Sequence, residues 1–163
     1  MDGYNLIGTR YKDLRAERDK LISALIQYHK TTGHIITVVF DGWGGTGGKE
    51  KRESTGGIAV IYSRIGENAD SVIKRLMADH SKKWIVVSSD REIASSAWAT
   101  LSVPIPSETF YRRVMKAQEG WKTGMGGEGV NDEGEKNLDS PVKGNPRMLS
   151  KKQKEIQRVM KKL

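Results

Sequence analysis

The chain has 163 residues, no cysteine and a formal net charge of +8, which is length enough for one domain with an apolar core and too little for two. The missing cysteines remove disulfides, thiolate metal sites and cysteine nucleophiles, leaving only oxygen or imidazole ligands for any metal, and they fit a reducing, cytoplasmic setting. No stretch approaches the roughly 20 apolar residues that cross a bilayer, and the first residues lack the basic-then-apolar layout of a signal peptide, so no membrane association is expected.

Leu14, Leu21, Ile22, Leu25 and Ile26 recur at helical spacing, which predicts an amphipathic helix over residues 11 to 32, stopped by Gly33. His34 to Phe40 is a short β-branched apolar run and reads as a strand. Asp41 follows it, then the glycine-rich loop Gly42 to Gly48. The polar segment Lys49 to Gly57 is expected to continue as loop into a strand at Ile58 to Tyr62. Asn68 is placed to cap a helix from about Ala69 to His80 that buries Val72, Ile73, Leu76 and Met77.

Trp84 to Val87 reads as another buried strand, ending at Ser88, Ser89 and Asp90. Residues 91 to 100 form a short helix, Leu101 to Ile105 a strand interrupted by Pro104, and Ser107 caps a helix reaching about Gln118. Strands alternating with helices predict an α/β fold with a mostly parallel sheet covered on both faces. From Glu119 to Pro146 the composition turns to Gly, Glu, Asp, Asn and Lys, so residues 120 to 146 read as a flexible linker. Residues 1 to 119 then form the main domain, and residues 147 to 163 a basic helix capped by Ser150, with Ile156, Val159, Met160 and Leu163 on one face.

That tail concentrates the charge. Lys143, Arg147, Lys151, Lys152, Lys154, Arg158, Lys161 and Lys162 face Glu155 alone, a surplus of seven that leaves the remainder close to neutral. Such a tail suits a polyanion, and its short apolar face without an aromatic anchor favours RNA over a membrane surface. Lys151, Lys152, Lys154 and Arg158 are the candidate phosphate contacts.

Four aspartates fall where a parallel sheet collects ligands. Asp41 ends one strand, Asp90 ends another, Asp70 lies in the first helical turn after a third, and Asp2 stands ahead of the first helix. Residues at the carboxyl ends of neighbouring strands converge on one crevice. Clustered carboxylates repel one another unless a hard cation neutralises them, which points to Mg²⁺ or Mn²⁺ and to phosphodiester hydrolysis. The plainer alternative is that each aspartate is a cap or turn residue, and that Asp70 simply complements a helix dipole.

These residues sit in recognisable words: Asp2-Gly3-Tyr4-Asn5-Leu6-Ile7, Val39-Phe40-Asp41-Gly42, Glu67-Asn68-Ala69-Asp70-Ser71 and Val87-Ser88-Ser89-Asp90. In this order and spacing, over roughly residues 1 to 119, the chain resembles the bacterial YacP-like NYN domain family, a branch of the PIN-like nucleases. The resemblance implies a PIN-like three-layer fold and a metal-dependent endoribonuclease that leaves a 5′-phosphate and a 3′-hydroxyl. Asp2, Asn5, Asp41, Asp70 and Asp90 match the positions that hold metal or its water, with Ser71 and Ser89 as supporting groups. The family normally carries a buried apolar strand just before the Asp-Gly-Tyr-Asn word, whereas only Met1 precedes Asp2 here. A native start upstream is therefore expected.

Gly42, Gly44 and Gly47 match the G-x-G-x-x-G spacing of dinucleotide sites, but no helix follows, and Gly48-Lys49 lacks the hydroxyl residue of a P-loop. A loop beside the metal site is the better reading, with Lys49, Lys51 and Arg52 reaching phosphates and Trp43 stacking on a base; a solvated charged loop is the alternative. His29, His34 and His80 are too scattered for a site, and Trp84 and Trp98 read as core. The expected partner is RNA, messenger or ribosomal, with the ribosome as a further candidate, and a homodimer is compatible with the family although no residue specifies one. The rival functional reading is a non-catalytic RNA-binding or ribosome-associated module on the same fold. A small-molecule phosphohydrolase would leave the basic tail unexplained.

Overall fold

In the computed structural model, residues 1–7, 13–42, 48–79, 82–122 and 149–163 are described, the side chains of Asn5 and of residues 119–122 excepted. The elements are α1 (Gly3–Ile7), α2 (Leu14–Thr32), β1 (Thr37–Phe40), β2 (Lys51–Thr55), β3 (Ile58–Tyr62), α3 (Ala69–Met77), β4 (Ile85–Val87), α4 (Arg91–Ala99), β5 (Val103–Ile105), α5 (Ser107–Lys122) and α6 (Lys151–Met160). The order is the α/β alternation expected from the sequence. Two apolar layers enclose the strands. On one side Leu21, Leu25 and Tyr28 of α2 and Phe110 and Val114 of α5 pack on Val38, Phe40 and Val60; on the other, Val72, Ile73 and Met77 of α3 and Ile93 and Ala97 of α4 pack on Val39, Ile61 and Val86. Successive strand side chains point to opposite faces, so a strand covered on both sides must be apolar throughout, as Val38, Val39 and Phe40 are.

The helix ends follow local chemistry. Asp13 caps α2 by accepting from the Arg15 and Ala16 amides at 3.1 Å, and Gly33, at φ 72°, closes it in the left-handed conformation that glycine adopts without strain. Ser150 and Gln153 form a reciprocal capping box on α6. α3 stops at Met77, short of the expected His80, and α5 runs to Lys122, beyond the expected end and into the start of the expected linker. The rest of that linker, residues 123–146, lies outside the described residues, as do residues 147 and 148 of the expected basic helix segment.

One expectation is corrected. Lys51–Thr55, read as loop, is a strand antiparallel to β3, with Thr55 opposite Ile58 and Lys51 opposite Tyr62. Its side chains are mostly solvated because it is an edge strand paired on one side only. Gly56 (φ 58°) and Gly57 (φ 92°) make the two-residue turn, a pairing of positive φ values that matches the twist of a hairpin.

The strands form two sheets, β1-β3-β2 and β4-β5, with β1 parallel to β3 and β4 parallel to β5. Met1 and Asp2 join them: the Met1 carbonyl accepts from the Val39 amide at 2.8 Å, and the Asp2 amide donates to the Val87 carbonyl at 3.4 Å. The chain start thus occupies the carboxyl end of a lane between β1 and β4. The terminal amine donates to the Thr37 carbonyl at 2.9 Å, and burial pulls its pKa down to about 6, partly offset by the Asp2 carboxylate.

α6 packs on the body through Val159, Met160 and Leu163. Its end is pinned by Tyr28, whose hydroxyl donates to the Leu163 carbonyl, and by His34, whose Nε2 lies 3.0 Å from the Lys162 carbonyl. Near its start, the Lys152 ammonium stands 5.5 Å from the centre of the Trp98 ring. Tyr28 and His34 precede β1 and Trp98 precedes β5, so α6 runs along the amino-terminal edge of the sheets. His29 is structural as well, its Nδ1 lying 2.7 Å from the His34 carbonyl.

A candidate metal and RNA site at the carboxyl edge

Asp41 is the first residue past β1, and its Oδ1 accepts from the Ala69 amide at 2.6 Å, tying the end of β1 to the first turn of α3. That approach depends on Gly42. Its amide donates to Ser63 Oγ at 2.9 Å, and a Cβ there would lie 1.8 Å from the Ser63 carbonyl oxygen. Gly3 has the same role after Asp2, since a Cβ would lie 2.1 Å from the Phe40 ring. In both Asp-Gly words the glycine lets backbone come close enough to aim the preceding aspartate.

Asp70 lies in the first turn of α3, behind the Asn68 cap. Asp90 is the cap of α4, its Oδ1 accepting from the Glu92 amide at 2.6 Å and the Ile93 amide at 3.1 Å. The amino-terminal turns of α3 and α4, the positive ends of their dipoles, thus carry Asp70 and Asp90 to the carboxyl-edge site. Within it the Asp70 carboxyl is pushed above its ordinary pKa, first by burial, then by the charge of Asp90, with Lys74 opposing and Asp41 and Glu92 adding. Asp41, Asp70 and Asp90 therefore share one electrostatic site, although they come from three elements and two sheets. Asp2, bridging Val39 and Val87, stands between the strands that carry Asp41 and Asp90.

The plainer roles are also occupied. Asp41 and Asp90 each commit Oδ1 to helix amides, leaving Oδ2 as the oxygen available to a cation. Among the described residues no three acidic or imidazole groups stand close enough to form a ready-made metal cage. The donor chemistry fits a hard divalent cation, being all carboxylate, with one carboxyl already disfavoured in its charged form by burial and by its neighbours.

Ser71 donates its hydroxyl to Asn68 Oδ1 at 2.7 Å and so holds the α3 cap. Ser89 Oγ accepts from the Ser107 amide at 3.2 Å and fixes the start of α5. Asn5 is in α1, its side chain outside the described residues, as is the whole of Trp43. Lys51 pairs with Tyr62 at the end of β3, which puts Lys49, Lys51 and Arg52 on the same edge as the acids. All three are exposed; Lys51 pairs with Glu53 and Arg52 with Glu50 at 2.7 Å. Lys151, Lys152, Lys154 and Arg158 are exposed on α6, at the opposite edge. Sequence reasoning missed a bridge in which Arg75 pairs with both Glu50 and Glu67, while Arg64 meets Glu67 at 3.3 Å. It ties β2 to α3 and neutralises charge beside the site.

The sequence matches the YacP-like NYN domain family over residues 1–161. The chain belongs to this family. The match runs past the four aspartate words and through α6. YacP of Bacillus subtilis (strain 168) is 37% identical over 83 residues, covering 47% of this chain and 48% of that protein, so the alignment spans about half the length of this curated relative. The crystal structure of Rae1 (YacP) from Bacillus subtilis superposes with a TM-score of 0.60 at 27% identity, covering 76% of each chain. Its W164L mutant gives a TM-score of 0.59 at 22% identity, covering 75% of this chain and 77% of that one, a likeness of fold. The NYN domain, a PIN-like α/β fold, thus accounts for the strand-end placement of Asp41 and Asp90.

Proposed function

We propose that this NYN domain is a metal-dependent endoribonuclease acting on messenger or ribosomal RNA in the cytoplasm. The observation that carries the reading is the placement of three carboxylates at one edge: Asp41 just past β1 and bonded to the Ala69 amide of α3, Asp70 in the first turn of α3, and Asp90 as the cap of α4. With Asp2 between them, these four would hold one or two Mg²⁺ or Mn²⁺ ions, and Asn5 would orient a ligand or water. A divalent ion so held lowers the pKa of water and stabilises charge on a leaving phosphodiester oxygen. The chain's own contribution is to fix the carboxylates on rigid strand and helix ends, and to offer Lys49, Lys51 and Arg52 to RNA phosphates on the same edge.

The opposite placement of α6 gives its lysines a separate task. They would add RNA affinity, or ribosome affinity, away from the bond being cut. No helix among the described residues is long and apolar enough to cross a membrane.

A non-catalytic RNA-binding module is the second reading, favoured by the helix-capping duties of Asp41 and Asp90 and by the lack of a ready-made cage among the described residues. Cleavage of a labelled single-stranded RNA in Mn²⁺ and in EDTA, by the chain and by Asp90→Asn, separates the two. Manganese-dependent cutting that Asp90→Asn loses while still binding RNA is the expected result. Equal cutting by both proteins, or binding without cutting by either beside a flat calorimetric Mn²⁺ titration, would overturn the nuclease reading.

A further inference from the structure

Asp70 and Asp90 belong to the starts of two neighbouring helices, and one cation reaches across between them. Lys74 lies four residues after Asp70 on α3, so the two share a face of that helix. Helical side chains lean back toward the amino terminus, which carries the Lys74 stem over the turn that holds Asp70. Its ammonium ends 3.2 Å from Glu92 Oε2. Glu92 is two residues past the Asp90 cap, in the first turn of α4. The pair therefore spans α3 and α4 beside the carboxylates, and both of its charges act on Asp70 together with those of Asp90 and Asp41.

This bridge is badly placed to serve the fold. The lysine side chain is 41% exposed and the glutamate 83%. An exposed pair of two long side chains gains little, because solvent screens the attraction and both lose rotamer freedom. The adjacent Arg75 differs, since it joins α3 to β2 through Glu50 and Glu67, whose side chains are mostly buried. α3 and α4 are in any case held together by Val72, Ile73, Met77, Ile93 and Ala97 in one apolar layer. The lysine has another use. A compact ammonium on a flexible stem suits a phosphate oxygen. Glu92 keeps that ammonium at the rim, leaving the carboxylate oxygens of the aspartates to other cations.

We infer that Lys74 is a phosphate ligand for RNA at this edge and that Glu92 is its resting partner. When RNA binds, the ammonium leaves the Glu92 carboxylate for a non-bridging oxygen of the phosphate nearest the acids. The exchange trades one exposed anion for another, so the ammonium is never left unpaired. This rests on the reading of the edge as the RNA-cleaving site, and it deepens that reading. Lys49, Lys51 and Arg52 meet the RNA from β2 and the residues before it, and Lys74 meets it from α3, so the backbone passing the acids is held from two elements. Glu92, once released, repels the phosphates and holds affinity below what Lys74 alone would give.

The two partners of the bridge then differ in sign, which the partners of a structural tie do not. Binding of a labelled single-stranded RNA is measured in EDTA, where affinity is read without cleavage, for the full chain and for Lys74→Gln, Lys74→Arg, Glu92→Gln and Lys116→Gln. Lys116 is exposed on α5, which packs in the other apolar layer, and it controls for the loss of one positive charge. Lys74→Gln should bind several-fold more weakly, with the slope of log affinity against log salt shallower by about 0.7. Lys74→Arg and Lys116→Gln should bind much as the parent does, and Glu92→Gln as tightly or more tightly. Weaker binding by both Lys74→Gln and Glu92→Gln would make the bridge a structural tie and overturn the proposal. Equal losses in Lys74→Gln and Lys116→Gln would overturn it too, as would unchanged affinity in Lys74→Gln or a parent that binds no RNA. Cleavage in Mn²⁺ decides the other question separately: a parent that shows the Lys74 pattern yet never cuts keeps this phosphate contact and loses the nuclease reading.

Discussion

Asp90 shows how one side chain serves fold and site together. Its Oδ1 holds two amides at the start of α4, and asparagine is as good a cap as aspartate, whereas alanine is not. Asp90→Asn should therefore keep the melting temperature near that of the parent while abolishing metal-dependent cleavage. Asp90→Ala should cost about 1 kcal/mol of stability as well, read from urea midpoints. Equal stability of the two variants would mean that the cap contributes little. Asp70 has the reverse sign. Its folded pKa lies above the ordinary value of 3.8, so the native state holds the proton more tightly than the unfolded chain does. Stability then falls as pH rises through the window just above 3.8 and levels off beyond the raised value. Asp70→Asn should remove that fall and make the metal-free protein more stable at pH 7 than its parent, while losing any stabilisation by Mn²⁺. Thermal melts of both proteins at pH 4 and 7, with and without Mn²⁺, check both halves. The acids were legible in the sequence because strand ends converge in any parallel sheet. Asp41's bond to Ala69 and the Arg75 bridge to Glu50 and Glu67 were not, since nothing in local spacing tells which helix start a strand end will meet.

At the scale of elements, the longer amphipathic helices and the apolar strands were readable, whereas the short α1 and the polar β2 were not. β2 has the sequence Lys-Arg-Glu-Ser-Thr, without an apolar residue to set a period of two, because it pairs on one side only and packs under nothing. The signal that would have found it is Gly56-Gly57 between two extended runs, a two-residue hairpin turn. That turn carries a prediction. A Cβ at Gly57 would sit at φ 92° and 2.4 Å from His29 Nε2, against a ring that also meets the His34 carbonyl. Gly57→Ala should cost about 1–2 kcal/mol from the left-handed backbone alone, seen as a lower urea midpoint, and more if His29 is displaced. Because β2 carries Lys51 and Arg52 at the carboxyl edge, the same variant should weaken RNA binding without removing metal binding. A loss of metal binding would show that the hairpin supports the carboxylates too. The helix α6 was legible for its capping box and amphipathic face, yet its docking along the amino-terminal edge depends on Tyr28, His34 and Trp98, which lie far from it in the sequence and share no spacing with it.

Across the whole molecule, charge is divided between two edges. The carboxylates gather where the strands end, beside Lys49 and Lys51, while the α6 cations lie where the strands begin. The length of β1, at roughly 3.3 Å of rise per residue, separates α6 from the acids, so an RNA held by both must cross the sheet edge or wrap the body. Replacing Lys151, Lys152, Lys154 and Arg158 with alanine keeps helix propensity high and leaves Val159, Met160 and Leu163 to hold the helix in place. The variant should bind single-stranded RNA more weakly, and the slope of log affinity against log salt should become shallower by about 0.7 for each phosphate that is no longer neutralised. Cleavage at saturating RNA should be unchanged, because none of the four lies on the edge that carries the aspartates. A fall in kcat with unaltered affinity would mean that α6 reaches the carboxyl edge when RNA is bound, and the two edges would then act as one surface.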